Sequence, residues 1–507
     1  MFGPALTLIL VLVSSAVIAV PTVNNVYKRA VASLNPSSTE LPFYFPESIY
    51  ESIPHSGAVP SPSSSEDGVK TATDFISKRL NLSANDFKVA NSFTDLSGIS
   101  HVYGAHMING ASISNHQAAA HVNNGEVAFF STSFGTEQHL AKRDLTVSAP
   151  EATLSFEEAS AIASTQLGIP VYSEFEHTLE YVAQPDGKVV YAYKLQLRNT
   201  PVTKWVQVWC HADTGRVIQV VNFANEASYM SSDFLIVIPL MGFQRDGVFD
   251  TKFNSQEEPG TAANIAATAV NLFYLANVMH DISYQYGFTE IAGNFQKSNF
   301  GKVVQGGDAV TINVLNSSNS NDAGFFTPPD GQPGVMNMYR FTYTTPDRNP
   351  GFDNGIPIHE YAHGISNRLT GGPSTGGCLS TLEARGMGEG WSDIIFMIVL
   401  AKSSDTATTG IPIGAYVRNN PKGIRSHPYT TDMTVNPLTY VNLKFAGGAY
   451  AVANLYKTDQ SAGNIVAMQI IIGGMMIQSC NPTFLDARDA IISADDPHYK
   501  SANKCEI

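Results

Sequence analysis

Charge is the first thing this sequence has little of. Only 15% of its 507 residues are Asp, Glu, Lys or Arg, and 30 basic side chains face 44 acidic ones, a formal net charge of −14. Such a surface repels phosphate backbones, which excludes a general nucleic-acid binder. Cysteine is scarce as well: four residues are too few for a disulfide scaffold. No fixed-period repeat is present, so a solenoid is excluded. Beyond the N-terminus no stretch reaches ~18 uninterrupted apolar residues, so no later segment reads as a membrane span. What is present is 43% apolar residues. That composition belongs to an ordered chain, and the length suggests roughly two to four domains.

The N-terminus predicts export. Lys28 is the first charged side chain, Leu6 to Val13 form a short apolar run, and Val17-Ile18-Ala19 offers small residues for a signal peptidase. Residues 1–19 therefore read as a cleaved signal, and the mature chain as secreted, with no membrane contact after its removal. Secretion permits disulfides. Cys210, Cys378, Cys480 and Cys505 allow two bridges in three connectivities, or one bridge among the last three. Asn81-Leu82-Ser83 and Asn316-Ser317-Ser318 are glycosylation sequons.

Residues 33–68 are rich in Ser and Pro and read as an exposed lead-in. From Thr71 to about Phe134 an α+β unit follows, with a hairpin at Asn109-Gly110. A dibasic Lys142-Arg143 precedes a second α+β unit running from Glu151 to about Ala224. Its helix opens on a capping box, Ser155 with Glu158, and a hairpin turns at Asp213-Thr214-Gly215. Then come a long apolar helix, Ala262 to Tyr286, and strand candidates at Ala309–Leu315 and Val335–Tyr343.

The chemistry concentrates in IPIHEYAHGISNRL, residues 356–369. His359-Glu360-Tyr361-Ala362-His363 is an H-E-x-x-H motif. On a helix, positions i and i+4 share one face, so both imidazoles reach one Zn²⁺ while Glu360 stays free as a base. Pro357 suits a first turn, and Gly371-Gly372-Pro373 ends the helix. A hydrolytic site needs a third ligand. Glu389 lies 26 residues beyond His363, and Asp393 follows it by four at the start of an apolar helix. Glu389 closes the ligand set, and Asp393 is placed to accept a hydrogen bond from the free ring nitrogen of His359. Two His and one Glu with an open position predict water attack on a peptide carbonyl, with Glu360 moving the proton.

HEYAHGISNRLTGGP, GMGEGWSD, TPPDGQPG (327–334) and CNPTFLDARDAI (480–491) together resemble fungal extracellular metalloproteinases of the fungalysin (M36) family, which are thermolysin-like gluzincins. The resemblance implies an α+β fold: two small propeptide subdomains, then a two-lobed zinc metalloprotease domain whose C-terminal lobe is mostly helical. It implies a propeptide over 20–226, with a fungalysin/thermolysin propeptide subdomain at about 70–135 and a PepSY-like one at about 150–225, and a peptidase domain over 227–507. By position it makes His359, His363 and Glu389 the ligands of one Zn²⁺ per chain, Glu360 the catalytic base and Asp393 the support of His359. It also implies a zymogen whose propeptide acts as intramolecular inhibitor and folding aid, with protein or peptide substrates. No motif assigns a calcium site. His280-Asp281 lies on the long helix before the cleft, and Asn321-Asp322-Ala323 where the family has a substrate-binding edge strand.

Three departures set an alternative beside this reading. The stretch before Ala262 is shorter than the family's. Tyr440 to Val452 lacks the histidine that stabilises the oxyanion in the family, leaving His427 as a substitute candidate. The chain stops at Ile507, where the family continues with a helix and a cysteine. The alternative is a zinc-binding pseudoprotease with little or no activity.

Overall fold

The computed structural model describes residues 42–54, 65–134, 146–226, 251–302, 305–402, 404–406, 408–438 and 463–504. The signal segment, Lys142-Arg143, Tyr440–Val452 and Cys505 lie outside the described residues. The architecture is α+β, with a ten-stranded and a four-stranded sheet among the described residues.

The lead-in is more structured than its composition suggests. β1 (Ile49–Ser52) pairs antiparallel with β5 (Glu126–Thr132), and α1 (Ser65–Arg79) starts inside the Ser-rich stretch. Tertiary pairing overrides weak local propensity here. β2 (Phe87–Thr94), β3 (Ser100–Ile108) and β4 (Ala111–Asn123) form an antiparallel meander turning at Asn109-Gly110, both at positive φ. The short β6 (Thr146–Val147) joins the second unit, in which α2 (Phe156–Leu167) carries the Ser155–Glu158 capping box and packs on β8 (Lys188–Arg198) and β9 (Trp205–His211). β7 (Thr178–Ala183) and β10 (Val217–Asn222) flank that hairpin. A parallel contact at Ile113 and Tyr181 fuses the two units into one sheet.

β11 (Ala224–Glu226) then leaves the second unit and enters the four-stranded sheet, ordered β11, β13 (Ala323–Phe326), β14 (Val335–Arg340), β12 (Thr311–Ser320). β13 is therefore not an edge strand along its length: β11 covers it from Gly324 to Phe326, and Asn321 and Asp322 form the turn before it.

Helices α3 (Ala262–Gln285), α4 (Gly355–Leu369), α5 (Leu382–Leu400), α6 (Ala415–Arg418), α7 (Gly463–Ile477) and α8 (Phe484–Tyr499) complete the described fold. By length and composition α3 could cross a bilayer. Here its amides are spent within the protein: Asn264 Nδ2 donates to Asn254 O at 3.0 Å, and Asn271 Nδ2 to Gly351 O at 2.7 Å. One hydrophobic core joins α3, α4, α5, α7 and α8 with the inner faces of β13 and β14. α5 begins at Leu382, capped by Thr381, well before the glycine-containing stretch that hides it in the sequence.

Two further expectations resolve. Cys378 and Cys480 form a disulfide between the loop after α4 and the loop before α8, while Cys210 is a buried free thiol. Asn81 is exposed, whereas Asn316 is buried and its Nδ2 donates to Asn337 Oδ1 at 3.0 Å. The Asn316 sequon is a correction: a glycan needs a free amide nitrogen in contact with solvent, and the folded chain does not present this one.

Candidate metal centre

α4 carries the centre, and all fifteen of its residues are buried. Its position is fixed by Arg368, fully buried near its C-terminus. That guanidinium donates to Pro328 O at 2.8 Å, Gly293 O at 2.8 Å, Asp308 Oδ2 at 3.1 Å and Asp330 Oδ1 at 3.2 Å. The TPPDGQPG loop is thus the socket of the helix, its Pro328, Pro329 and Gln332 carbonyls turned to accept from Arg368. One turn earlier on the same face, Gly364 lets the Phe295 and Phe325 rings approach the helix backbone, and the Phe295 ring also lies 4.5 Å from the Arg368 guanidinium.

One helical turn brings His359 Nε2 to 3.1 Å from His363 Nε2. Glu389, on α5, places Oε2 3.3 Å from His359 Nε2 and Oε1 3.6 Å from His363 Nε2. One ligand atom from each of the three residues lies within 4.8 Å of the others. His359 Nδ1 faces Asp393 Oδ1 at 2.6 Å. A proton on Nδ1 leaves Nε2 as a lone pair aimed at the same point as His363 Nε2 and Glu389. Three lone-pair donors converging in a buried space repel one another unless a cation sits among them. Of the donor atoms, Glu389 Oε2 is buried without a hydrogen-bond partner, as are Glu360 Oε2 and the outer nitrogen of His363, Nδ1. Two imidazoles and a carboxylate with room for a further ligand are the donor set of Zn²⁺.

The electrostatics agree. Burial pulls His359 down, but Asp393, Glu389 and Glu360 outweigh it and carry it up to about 10. Burial takes His363 down to about 4. Glu389 is pushed up by burial, yet His363, His359 and Arg425 bring it down to about 2. In the metal-free protein His359 is therefore held protonated on both ring nitrogens, its Nε2 facing Glu389 Oε2 at 3.3 Å. A cation would take the place of the Nε2 proton. Burial, with Glu389 and Asp322, drives Glu360 up to about 8 against the pull of His359 and Arg425.

Asp393 itself is held by partners that no motif announced. Arg425 donates from Nε to Oδ2 and from a terminal nitrogen to Oδ1, both at 3.0 Å, and the Tyr429 hydroxyl donates to Oδ2. The signal available in the sequence was chemical: a fully buried carboxylate demands a cation and donors. His359 and Glu360 open onto a cleft of about 120 Å³, lined also by Asn321, Asp322, Phe341, Ile356, Ile413 and Arg418. His427 does not line it; its Nδ1 pairs with Ser426 Oγ at 3.2 Å. His280 pairs with Asp281 and Gln296 and stands apart from the three donors.

A buried H-E-x-x-H helix, completed by a glutamate from the next helix, defines a class: metallopeptidases of the two-His, one-Glu type. Residues 219–456 and 445–507 match the Fungalysin metallopeptidase (M36) family model, and residues 85–134 match the Fungalysin/Thermolysin Propeptide Motif. More than half of the chain is matched by the peptidase model, and the chain belongs to the fungalysin metallopeptidase family, whose members are zinc-dependent. Among similar proteins, "Extracellular metalloproteinase MEP" of Pyricularia oryzae is 47% identical over 267 residues, covering 47% of this chain and 42% of that protein. "Extracellular metalloproteinase 1" of Arthroderma otae is 42% identical over 285 residues (51% and 45%), and its namesake in Trichophyton equinum 44% over 269 (48% and 44%). The chain spans less than half the length of these relatives.

Proposed function

We propose that the chain is a secreted zinc endopeptidase made as a zymogen. The observation that carries this is the buried convergence of His359, His363 and Glu389 beside the uncommitted Glu360 carboxylate on a cleft wall. The relatives' names contain "extracellular" and "metalloproteinase", which supports secretion and protein or peptide substrates. In this reading residues 1–19 are the signal, 20–226 the pro-region and 227–507 a two-lobed peptidase domain with a mostly helical second lobe. The propeptide-motif match and the pairing of β11 on β13 support a pro-region that restrains the cleft. Asn81 is the sequon left for a glycan.

His359, His363 and Glu389 would hold one Zn²⁺. When bound it supplies Lewis acidity, polarising the scissile carbonyl and acidifying water. Glu360 takes the proton of the attacking water on its free oxygen and later passes it to the leaving amine. Asp393 keeps the His359 proton on Nδ1, and Arg425 and Tyr429 keep Asp393 ionised and still. The burial that raises Glu360 makes it a stronger base than a solvated carboxylate.

The full chain, secreted from a yeast host and matured, is expected to bind one zinc and to degrade casein in a phenanthroline-sensitive manner. Glu360→Gln should retain zinc and lose ~10²–10⁴ in rate. The pseudoprotease alternative rests on the histidine-free Tyr440–Val452 segment. It prevails if wild type binds zinc yet cleaves no faster than Glu360→Gln.

A further inference from the structure

The cleft carries two guanidinium groups with different commitments. Arg425 is spent on Asp393, in a two-point ion pair. Arg418, at the end of α6, is exposed, and its guanidinium lies 4.2 Å from the centroid of the Tyr343 ring. Among the described residues no carboxylate pairs with it. Tyr343, itself 42% exposed, and Arg418 both line the cleft that holds Glu360 and His359. The ring holds the guanidinium by cation–π attraction, and among the described residues its N–H groups have no acceptor. The cleft's two carboxylates sit deeper, Glu360 at 2% exposure and Asp322 at 3%. An acidic group on a bound peptide meets at the lip a guanidinium that no carboxylate among the described residues neutralises. The cleft lining also includes Phe341, Ile356, Ile413 and Ile424, an apolar surface for one side chain.

From this layout we infer that Arg418 is a specificity-determining residue that selects peptides carrying a carboxylate near the apolar side chain anchored in the cleft. The inference rests on the endopeptidase reading and names its substrate class. Two sources supply the same chemistry: an Asp or Glu side chain, or the C-terminal carboxylate of a short peptide. Arg is suited to either because its planar fork meets both carboxylate oxygens at once.

The test uses the matured protein from the full secreted chain and quenched fluorescent peptides with one central apolar anchor. Each flanking position carries Glu, Gln or Lys in turn, with the C-terminus either free or amidated. At one position Glu should exceed Gln by roughly three- to tenfold in kcat/KM, the size of a partly screened charge contact. The gain should appear in KM and shrink as ionic strength rises. Arg418→Gln should erase the preference while cleavage of the neutral peptide is retained, Arg418→Glu should turn it toward Lys, and Arg418→Lys should restore part of it. A preference seen only for the free C-terminus assigns the carboxylate to the chain end. Cleavage of the neutral peptide with no acidic preference at any position, or a preference that survives Arg418→Gln, overturns the inference and leaves the endopeptidase reading standing. If no peptide is cleaved, that reading fails. Anisotropy of the same peptides on Glu360→Gln protein then decides, and equal affinity for acidic and neutral peptides rejects the role of Arg418.

Discussion

The residues of the centre fall into those that spacing encodes and those that only a folded interior demands. His359 and His363 are legible because a helix repeats every 3.6 residues, and Glu360 because it sits between them. Glu389 and Asp393 are legible as a pair one turn apart. Arg425 and Tyr429 are not, because no periodicity links a loop to a helix that precedes it by 32 and 36 residues. Their necessity is energetic: Asp393 is fully buried, and an ionised carboxylate there without partners costs several kcal/mol. Asp393→Asn keeps the shape and removes the charge. It should weaken zinc binding by roughly 10–100-fold in a chelator competition, because His359 loses the partner that sets its tautomer and basicity. Unchanged affinity would mean that the His359–Asp393 contact, at 2.6 Å, serves packing alone.

At the scale of elements, glycine separates what was legible from what was not. Gly371 and Gly372, both at positive φ, mark the end of α4 and were readable as a stop. Gly386, Gly388 and Gly390 obscured the first half of α5, because three poor helix formers in five residues argue against a helix. Packing overrides that propensity, since this part of α5 is buried against the core. Two glycines of the paired helices therefore respond oppositely to the same change. A Cβ on Gly364 would meet Phe295 ring carbons at 2.6 and 2.9 Å. Gly364→Ala should destabilise by roughly 1–3 kcal/mol, the usual cost of overpacking, despite its better helix propensity. Among the described residues a Cβ on Gly388 meets only Leu379, at 3.6 Å, an ordinary contact. Gly388→Ala should stabilise by roughly 0.5–1 kcal/mol. Urea midpoints of the two variants read both signs, and a shared sign would reject this account of the helix pair.

Across the whole molecule, the first α+β unit is covered on both faces. Val102, Ala118, Ala120 and Val122 turn toward α1 with Ala72 and Ile76. The alternate residues Tyr103 and Ala119, with Phe93 and Phe129, join the peptidase core beside Phe288 and Met476, and the Tyr103 hydroxyl donates to Met476 O at 2.6 Å. The sequence showed the alternation in HVYGAHMINGASISN but nothing of the partner on the second face, because that partner lies more than 300 residues away. On this second face sit His101 and His121, both fully buried, with their Nδ1 atoms 2.9 Å apart and Asp95 3.1 Å from His101 Nε2. His498 of α8 lies within the electrostatic reach of Asp95 and His101, and Asp495 faces it from its own helix. Burial, with the adjacent His101, holds His121 neutral far below the usual imidazole range, against the pull of Asp95; burial also lowers His498 and His106. The unfolded chain takes up these protons near pH 6.5 and the folded chain does so only at lower pH. Stability is therefore fully present above that pH and is lost as pH falls below it, by up to ~1.4 kcal/mol per pH unit for each proton withheld. Asp95 adds a second loss at lower pH. Burial raises it, but His101, Ser97 and the Ile99 amide bring it down to about 2, so its contribution is present above the ordinary carboxylate range and fades between about pH 4 and 2. Denaturant midpoints of the full chain should thus fall from pH 7.5 to 5.5, at roughly constant ionic strength. His121→Gln should flatten that slope by roughly the share of one proton, about 1 kcal/mol per pH unit. If wild type and His121→Gln lose stability in parallel over this window, the acid sensitivity resides outside the seam between the first unit and the peptidase core.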